Sequence, residues 1–374
     1  MPSLPISAAE RSPLPDMLRG LAIGGILLVN LSNFAGYTPW AQEGADGAAQ
    51  GLIDFFANGK FISTFAMLFG AGAALSVERS GAGVQLRRLA ALFVIGVLHG
   101  TLIWEGDILT NYALVGVVFL LLTNLPRRLT LPLAAVLIAV SLWPLLRDAL
   151  AYGSDTSPAY SAFTPAHTAP DYFEALPTRV AGYLSILSFG IFNLGGWLLG
   201  MFLVGRWAAL KGVLQGPEAH VPLLRRVALF GFLVGVPLNL AFAVLSARDE
   251  AGAQTWALFL RFTGGPVFAL AFAASVALLL AHGRGRWLMP LAAVGRLALS
   301  NYLFDSLVCT LVFYGYGLGQ YGRWGALACL LFGLALFGLQ VWLSNLYLRF
   351  FSRGPAETVL RTLTYGPARR QAAQ

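Results

Sequence analysis

The chain has few charged residues: Lys, Arg, Asp and Glu make up 11% of its 374 residues, whereas 57% are hydrophobic. That supply of polar side chains is too small to cover a protein of this length in water. The composition therefore excludes a soluble globular fold and indicates a membrane protein.

Cysteine and histidine are also scarce, with two and four copies. Cys309 and Cys329 both lie inside apolar segments, which suits neither a disulfide framework nor a Cys/His metal site. We therefore expect no metal ion, and cysteine usage leaves the redox compartment open.

Long apolar segments are what the chain has in abundance. Ten blocks each approach the roughly 20 residues that a helix needs to cross a hydrocarbon core of about 30 Å. They cover approximately residues 17–36, 58–77, 88–104, 107–125, 129–147, 180–205, 222–246, 256–281, 288–313 and 323–349. The sequence thus predicts an all-α, polytopic integral membrane protein with about ten transmembrane helices.

The basic residues follow an alternating pattern along these blocks. Nineteen of the 25 Lys and Arg residues lie at the chain ends or in every second gap, and most acidic residues lie in the other gaps. By the positive-inside rule, the basic gaps and both termini face the cytoplasm. The basic residues behind the net charge of +8 are spread over six segments. We therefore expect them to contact anionic lipid headgroups and not nucleic acid. The basic set is Arg11, Arg19, Arg79, Arg87, Arg88, Arg127, Arg128, Arg206, Lys211, Arg225, Arg226, Arg284, Arg286, Arg296, Arg349, Arg353, Arg361, Arg369 and Arg370.

No soluble domain interrupts the blocks, so residues 1–374 are interpreted as one transmembrane domain. Residues 1–147 hold the first five spans, 179–350 the second five, and 351–374 a cytoplasmic tail. The longest polar stretch, 148–178, is rich in proline, including Pro158, and is predicted as an outer loop with an interfacial helix near Tyr172–Leu176. Residues 37–57 are predicted as a second outer loop.

Polar residues inside the blocks are the best indicators of function, because an ionisable group in hydrocarbon is costly unless it faces the bundle interior. The predicted orientation places most of them in the outer half of the membrane and three near its middle. We therefore predict one polar cavity that opens outward. Its residues are Asn30, Lys60, His99, Glu105, Asp107, Asn111, Tyr112, Arg261, Asn301 and Asp305.

Asn301 and Asp305 are four residues apart, so they share one helix face and can hydrogen-bond each other. A carboxylate at that depth needs a cation nearby, and Arg261 is the candidate. A buried structural pair and a functional pair both fit this pattern.

His99 is the candidate general base, since imidazole titrates near neutral pH. A tight hairpin at Glu105-Gly106-Asp107 can fold a carboxylate back toward its ring. The alternative is a histidine that only hydrogen-bonds two helices together.

Arg19 opens the first span on the cytoplasmic side, three residues after Asp16. Either the two residues form an ion pair that anchors the helix end, or Arg19 meets an anionic group such as the pyrophosphate of a coenzyme. Asn30 lies three turns deeper on the same helix.

Several short motifs occur in a fixed order along the chain. They include Leu18-Arg19-Gly20, Leu28-Val29-Asn30, Gly59-Lys60-Phe61, Leu68-Phe69-Gly70-Ala71-Gly72, Gly106-Asp107-Ile108-Leu109, Ser300-Asn301-Tyr302 and Leu363-Thr364-Tyr365. Together they resemble the YeiB-like bacterial membrane proteins, a family long filed as a domain of unknown function, and the resemblance covers essentially the whole chain.

This family is similar in its first spans to heparan-α-glucosaminide N-acetyltransferase, and more remotely to bacterial membrane acyltransferases that modify surface glycans. The resemblance implies acyl-coenzyme A as a cytoplasmic donor and an acceptor on the other side. Arg19-Gly20 and Asn30 match the first-span Arg-Gly and Asn of the lysosomal enzyme. Its catalytic histidine follows that Asn, but residues 31–56 contain no histidine, so His99 is the candidate to replace it.

Our first hypothesis is an acyltransferase of the bacterial inner membrane. Acyl-coenzyme A lies near Arg19, His99 is the base, Asp107 or Glu105 orients it, and Asn30 or Asn301 stabilises the oxyanion. Asp305 is predicted as a further catalytic residue. The remaining predicted substrate- or coenzyme-binding residues are Lys60, Asn111, Tyr112, Arg261 and Asn301.

Two other hypotheses remain open. One is a proton-coupled transporter of small molecules or lipids that uses Asp305 and His99, because Gly24-Gly25 and Gly195-Gly196 occupy corresponding positions in the two five-span halves, as paired helix interruptions do in inverted-repeat carriers. The other is a non-catalytic protein whose cavity holds a lipid. Expected partners are membrane lipid and a small-molecule, glycan or lipid acceptor, and a homodimer is left open.

Overall fold

The computed structural model describes residues 12–157 and 165–366, which form fourteen α-helices and contain no strand. This confirms the predicted all-α class. Arg11, Pro158, Arg369 and Arg370, used in the sequence argument, lie outside the described residues. The helices are α1 Leu14–Ala35, α2 Gly44–Phe56, α3 Lys60–Ser80, α4 Ala82–Leu102, α5 Leu109–Leu121, α6 Arg127–Tyr152, α7 Tyr172–Phe192, α8 Gly195–Leu210, α9 Val221–Ser246, α10 Ala251–Ala281, α11 Met289–Arg296, α12 Ala298–Phe313, α13 Ala326–Phe350 and α14 Pro355–Tyr365.

Eight segments of the described chain are long and apolar enough to cross a bilayer, or nine if the bent pair α11–α12 counts as one span. The eight are α1, α2 with α3, α4, α6, α7, α9 with the short turn before it, α10 and α13. They confirm a polytopic membrane protein. The number of ten spans stays a prediction, because α5 has only 13 residues and reaches about 20 Å at 1.5 Å per residue.

The helix ends meet at two opposite ends of the bundle. The basic end holds the connections 81, 122–126, 211–220 and 282–288 together with α14, where Arg87 Nε donates to the Thr364 carbonyl at 3.0 Å. The acidic end holds the connections 36–43, 103–108, 247–250 and 314–325 and the described residues 153–157 and 165–171, and there Gly315 N donates to the His167 carbonyl at 2.8 Å. By the positive-inside rule, the basic end is predicted to face the cytoplasm.

Local chemistry explains where several helices start and stop. Helix α1 has Pro15 in its first turn and ends at Gly36, whose φ of 70° is left-handed. Helix α7 starts at Tyr172 because the Asp171 carboxylate accepts from Phe173 N and Glu174 N. The predicted outer loop therefore loses residues at both ends, because α6 extends to Tyr152 and the predicted interfacial helix is the first turn of α7. The second predicted outer loop contains α2.

Two predicted spans are broken helices. Helices α11 and α12 meet at Leu297 with a bend of 76°, and residues 180–205 divide into α7 and α8 at Asn193–Leu194. In contrast, α1 is continuous through Gly24 and Gly25, on which the rings of Phe337 and Phe61 pack. The predicted matching interruptions in the two halves are therefore wrong.

Helices α1 and α11 cross with their backbones in contact. A Cβ atom at Gly20 would meet the Leu291 carbonyl, and one at Gly295 would meet the Asp16 carbonyl. Only glycine permits so close an approach. The crossing brings Arg19 and Arg296 to the same side of the bundle.

The hairpin between α4 and α5 is recessed below the acidic end. The Tyr172 hydroxyl donates to the Leu102 carbonyl at 2.6 Å, and Arg179 Nη1 donates to the same oxygen at 3.2 Å. Helix α7 therefore packs against the start of this hairpin.

Candidate functional site

A cavity of about 340 Å³ lies toward the basic end, between α1, α3, α5, the α11–α12 break and α14. We call it the basic-end cavity. Its polar lining comes from Arg19, Arg88, Tyr112, Arg296, Tyr302 and Glu357, and most of the remainder is apolar. The cavity thus has several cationic side chains near one end of the bundle and an otherwise mostly apolar wall.

A second cavity, of about 620 Å³, lies toward the acidic end. We call it the acidic-end chamber. Its polar lining includes Asn30, Glu105, His167, Arg179 and Arg261, and its aromatic lining includes Trp40, Trp104 and Tyr321. The predicted single cavity is therefore wrong: the sequence-predicted residues divide between two cavities and the packed interior.

His99 and Asp107 form a buried pair. His99 Nδ1 lies 2.9 Å from Asp107 Oδ1, and the two residues are 2% and 1% exposed. The structure thus brings Asp107, and not Glu105, to His99. With Nδ1 donating its proton to the carboxylate, Nε2 is the basic nitrogen of the ring, and it has no hydrogen-bond partner.

Two further residues hold Asp107 in place. Its Oδ2 accepts from the backbone N and the hydroxyl of Thr110, both at 2.9 Å. The Thr110 hydroxyl in turn accepts from Tyr183 OH at 3.0 Å. This chain of bonds fixes the carboxylate and, through it, the ring of His99.

The His99–Asp107 pair lies between the two cavities. Asp107 is flanked in sequence by Gly106, which lines the acidic-end chamber, and by Ile108, which lines the basic-end cavity. The His99 ring centroid is 5.1 Å from that of Tyr302 and 6.4 Å from that of Trp104. Each of those rings lines one of the cavities.

Glu105 has a different partner, which sequence reasoning missed. Its Oε1 lies 2.6 Å from Nε2 of His167, whose ring stacks on Tyr314 at 4.5 Å. Burial raises the pKa of Tyr314, so its phenol stays protonated at neutral pH. The only sequence signal for His167 was that it is one of four histidines, because it lies 62 residues from Glu105 in a proline-rich connection.

Arg19 forms the predicted ion pair with Asp16 and also lines a cavity, whereas its contact with an anionic group stays a prediction. Its Nη1 donates to Asp16 Oδ1 at 2.6 Å, and the side chain lines the basic-end cavity. Arg88 lies 5.9 Å from the ring centroid of Phe69, on the wall of the same cavity. In the sequence, Arg88 and Arg296 indicated only a cytoplasmic charge, and no signal indicated Glu357. Their convergence depends on how α4, α11 and α14 pack.

Asp305 does not pair with Arg261. Gln340 Nε2 donates to Asp305 Oδ1 at 2.7 Å and to the Asn301 carbonyl at 3.2 Å. The Asn301 amide donates to the Val294 carbonyl and to the Ser344 hydroxyl. The predicted partner is therefore wrong, and Asp305 and Asn301 are joined through Gln340 instead of to each other.

Lys60 and Asn111 also lie in the packed interior. Lys60 Nζ donates to the carbonyls of Asp54 and Asn58, at 2.6 and 2.8 Å. Asn111 packs against Gly190. Neither residue lines either cavity, whereas Tyr112, Asn30 and Arg261 each line one.

The part of the chain that the structure describes contains no candidate metal-binding site. No group of three or more His, Cys, Asp or Glu residues there could hold a metal ion. Cys309 and Cys329 are free and buried.

Comparison with known proteins gives relatives over nearly the full length. Residues 208–367 match the family described as a protein of unknown function (DUF418). The chain is 33% identical to the uncharacterized protein YeiB of Escherichia coli (strain K12), over 96% of this chain and 98% of that protein. It is 30% identical to the uncharacterized protein YxaH of Bacillus subtilis (strain 168), over 96% of each. No solved structure matches the chain at a significant level.

Proposed function

We propose, from the premise that this chain belongs to the family of YeiB and YxaH, that it is an acyltransferase of the bacterial cytoplasmic membrane. It moves an acyl group from acyl-coenzyme A in the basic-end cavity to an acceptor in the acidic-end chamber. The observation that carries the proposal is the position of the His99–Asp107 pair, between two cavities that open toward opposite ends of the bundle.

The basic-end cavity suits the donor. Arg19, Arg88 and Arg296 line it, and arginine binds phosphate groups through charge-assisted, bidentate hydrogen bonds. Its apolar wall, with Ile23 and Phe65, offers an environment for the thioester arm. Under the positive-inside rule this cavity faces the cytoplasm, where acyl-coenzyme A is present.

The chemical step follows from the free nitrogen of His99. Nε2 takes the proton of an acceptor hydroxyl or amine as its oxygen or nitrogen attacks the thioester carbonyl carbon. The tetrahedral oxyanion then collapses, the carbon–sulfur bond breaks, and the coenzyme thiolate takes the proton back from the imidazolium. Asp107 holds the ring in the required tautomer throughout.

Tyr302 supports the oxyanion role better than Asn301 does. Its hydroxyl accepts from Ile108 N at 3.3 Å, so its own proton is available, and its ring lies beside His99. The Asn301 amide is already bonded to Val294 and Ser344. One oxyanion donor lowers the barrier by about 3 kcal/mol.

Transport is the second candidate, and one observation favours it. The break between α11 and α12 is of the kind that carriers use at their binding sites. The backbone amides at the N-terminus of α12 are, however, already hydrogen-bonded to Glu357, which accepts from Leu299 N at 2.8 Å and from Ser300 N at 3.1 Å. We therefore rank acyl transfer first and a non-catalytic lipid-binding role third.

The test is acyl transfer from labelled acyl-coenzyme A in proteoliposomes made with bacterial lipid extract. We expect His99→Ala to lower turnover by about 100-fold or more, as loss of a general base does. His282→Ala is the matched control, because His282 is exposed at the basic end. Equal turnover by His99→Ala and wild type would remove His99 from the mechanism. Solute accumulation driven by a pH gradient, without thioester consumption, would establish transport instead.

A further inference from the structure

Arg261 is a half-buried cation that forms no ion pair with another residue that the structure describes. It lies ten residues after the start of α10, about 15 Å along the helix at 1.5 Å per residue. A charge at that depth is costly and marks a functional site by default. The charge of Asp54 acts on Arg261, but its carboxylate accepts from Asn58 Nδ2 and from the Ser246 hydroxyl, both at 2.8 Å, and not from Arg261. Within residues 12–157 and 165–366, no salt bridge includes Arg261, and its Nε has no partner.

Arg179 is a second such cation on the wall of the same chamber. It is 3% exposed, and its Nε and Nη2 have no hydrogen-bond partner. Its guanidinium lies 4.9 Å from the ring of Tyr172 and 5.6 Å from that of Tyr316. These rings hold the group by cation–π contacts, but they do not supply a counter-charge.

The charges that line the chamber therefore do not balance. Arg179 and Arg261 contribute two positive charges, and Glu105 is the one carboxylate among the described lining residues. That carboxylate is already bonded to His167. Both arginines line the chamber, and each has at least one buried donor without a hydrogen-bond partner. The chamber has a volume of about 620 Å³, which is large enough for a small organic molecule.

We propose that the acidic-end chamber binds an anionic group, a phosphate or a carboxylate, through Arg261 and Arg179. The aromatic side chains Trp40, Trp104 and Tyr321 line the rest of the chamber and pack against the uncharged part of the ligand. The site holds an anion whether the bound molecule accepts an acyl group or is transported, so the inference goes beyond the proposed function. The anion comes either from a soluble molecule or from a lipid headgroup.

The test is ligand-induced stabilisation of the full chain in phosphatidylcholine nanodiscs. We expect sn-glycerol 3-phosphate to raise the Tm in a saturable way, whereas glycerol does not. Arg261→Gln or Arg179→Gln should raise the Kd for this probe at least tenfold. Arg248→Gln is the matched control, because Arg248 is exposed at the acidic end and outside the chamber. If the natural source is a headgroup, nanodiscs containing phosphatidylglycerol will raise the Tm and cancel the response to the soluble probe.

Two outcomes overturn the proposal. One is the absence of a saturable shift with sn-glycerol 3-phosphate, inorganic phosphate and phosphatidylglycerol alike. The other is an equal shift in wild type and in the double variant Arg179→Gln/Arg261→Gln. Arg179→Lys and Arg261→Lys keep the charge, and the Tm without probe checks that each variant is folded. This binding test measures no turnover, so it can succeed even if the protein transfers no acyl group. Likewise, acyl transfer can be observed even if this binding test fails.

Discussion

At the scale of single residues, one hairpin supplies carboxylates to two histidines. Glu105 and Asp107 are two positions apart, yet Glu105 bonds His167 in the acidic-end chamber and Asp107 bonds His99 in the interior. The hairpin is held between the chamber and the interior because Tyr172 and Arg179 bond its Leu102 carbonyl. The two pairs therefore lie in different environments: Glu105 and His167 line the acidic-end chamber, whereas His99 and Asp107 are buried in the packed interior.

If the basic-end cavity binds the acyl-coenzyme A donor, substitution of Arg88 should weaken donor binding. Arg88→Gln should raise the KM for acyl-coenzyme A by about 10-fold or more, since a hydrogen bond to a charged group contributes roughly 1.5–3 kcal/mol. The kcat should change little, because the phosphate contact is the same in the ground state and the transition state. Initial rates in proteoliposomes over a range of acyl-coenzyme A concentrations measure both constants.

Arg79→Gln is the control for this variant. Arg79 also lies at the basic end, but it is exposed and does not line the cavity. An unchanged KM in Arg88→Gln, or an equal rise in both variants, would contradict placement of the donor in the basic-end cavity.

At the scale of helices, the break between α11 and α12 depends on α14. The bend leaves the first amides of α12 without intrahelical partners, and Glu357 of α14 accepts two of them. Asn301 satisfies the Val294 carbonyl on the other side of the break. Helix α14 therefore stabilises a bend that lines the basic-end cavity, and Leu360 of the same helix lines that cavity as well.

Loss of this cap should destabilise the protein. Glu357→Ala removes an acceptor and a negative charge at a helix N-terminus, which together contribute about 1–2 kcal/mol. We expect a lower Tm in detergent than for wild type, with Glu357→Gln in between because its amide oxygen still accepts. Glu218→Ala is the control, since Glu218 is exposed at the same end. Equal Tm values for Glu357→Ala and Glu218→Ala would show that the cap contributes nothing.

At the scale of the whole molecule, charge is distributed along the bundle axis. Arginines collect at the basic end, acidic residues at the other, and the His99–Asp107 pair lies between two cavities. Such a distribution fixes orientation during insertion. Under the proposed function, it also places Arg19, Arg88 and Arg296 on the side where the donor would bind.

Orientation can be tested by cysteine labelling in intact cells. Arg248→Cys at the acidic end should react with a membrane-impermeant maleimide, whereas Arg284→Cys at the basic end should react only after permeabilisation. Both positions are exposed. Cys309 and Cys329 are 0% exposed, so they give no background. Labelling of Arg284→Cys in intact cells would reverse the proposed orientation.

The sequence by itself determined the all-α class and the membrane location, and it predicted a hairpin that can fold a carboxylate of Glu105 or Asp107 toward His99. These follow from apolar block length and from a hairpin only eight residues long, which are local properties. Tertiary structure alone decided that Asp305 meets Gln340 instead of Arg261, that His167 reaches Glu105, and that the polar residues divide between two cavities. In a bilayer the lipid solvates any apolar helix face, so hydropathy does not fix the rotation or neighbours of a helix. Those are set by close contacts between distant segments, such as the approach of Gly20 to α11.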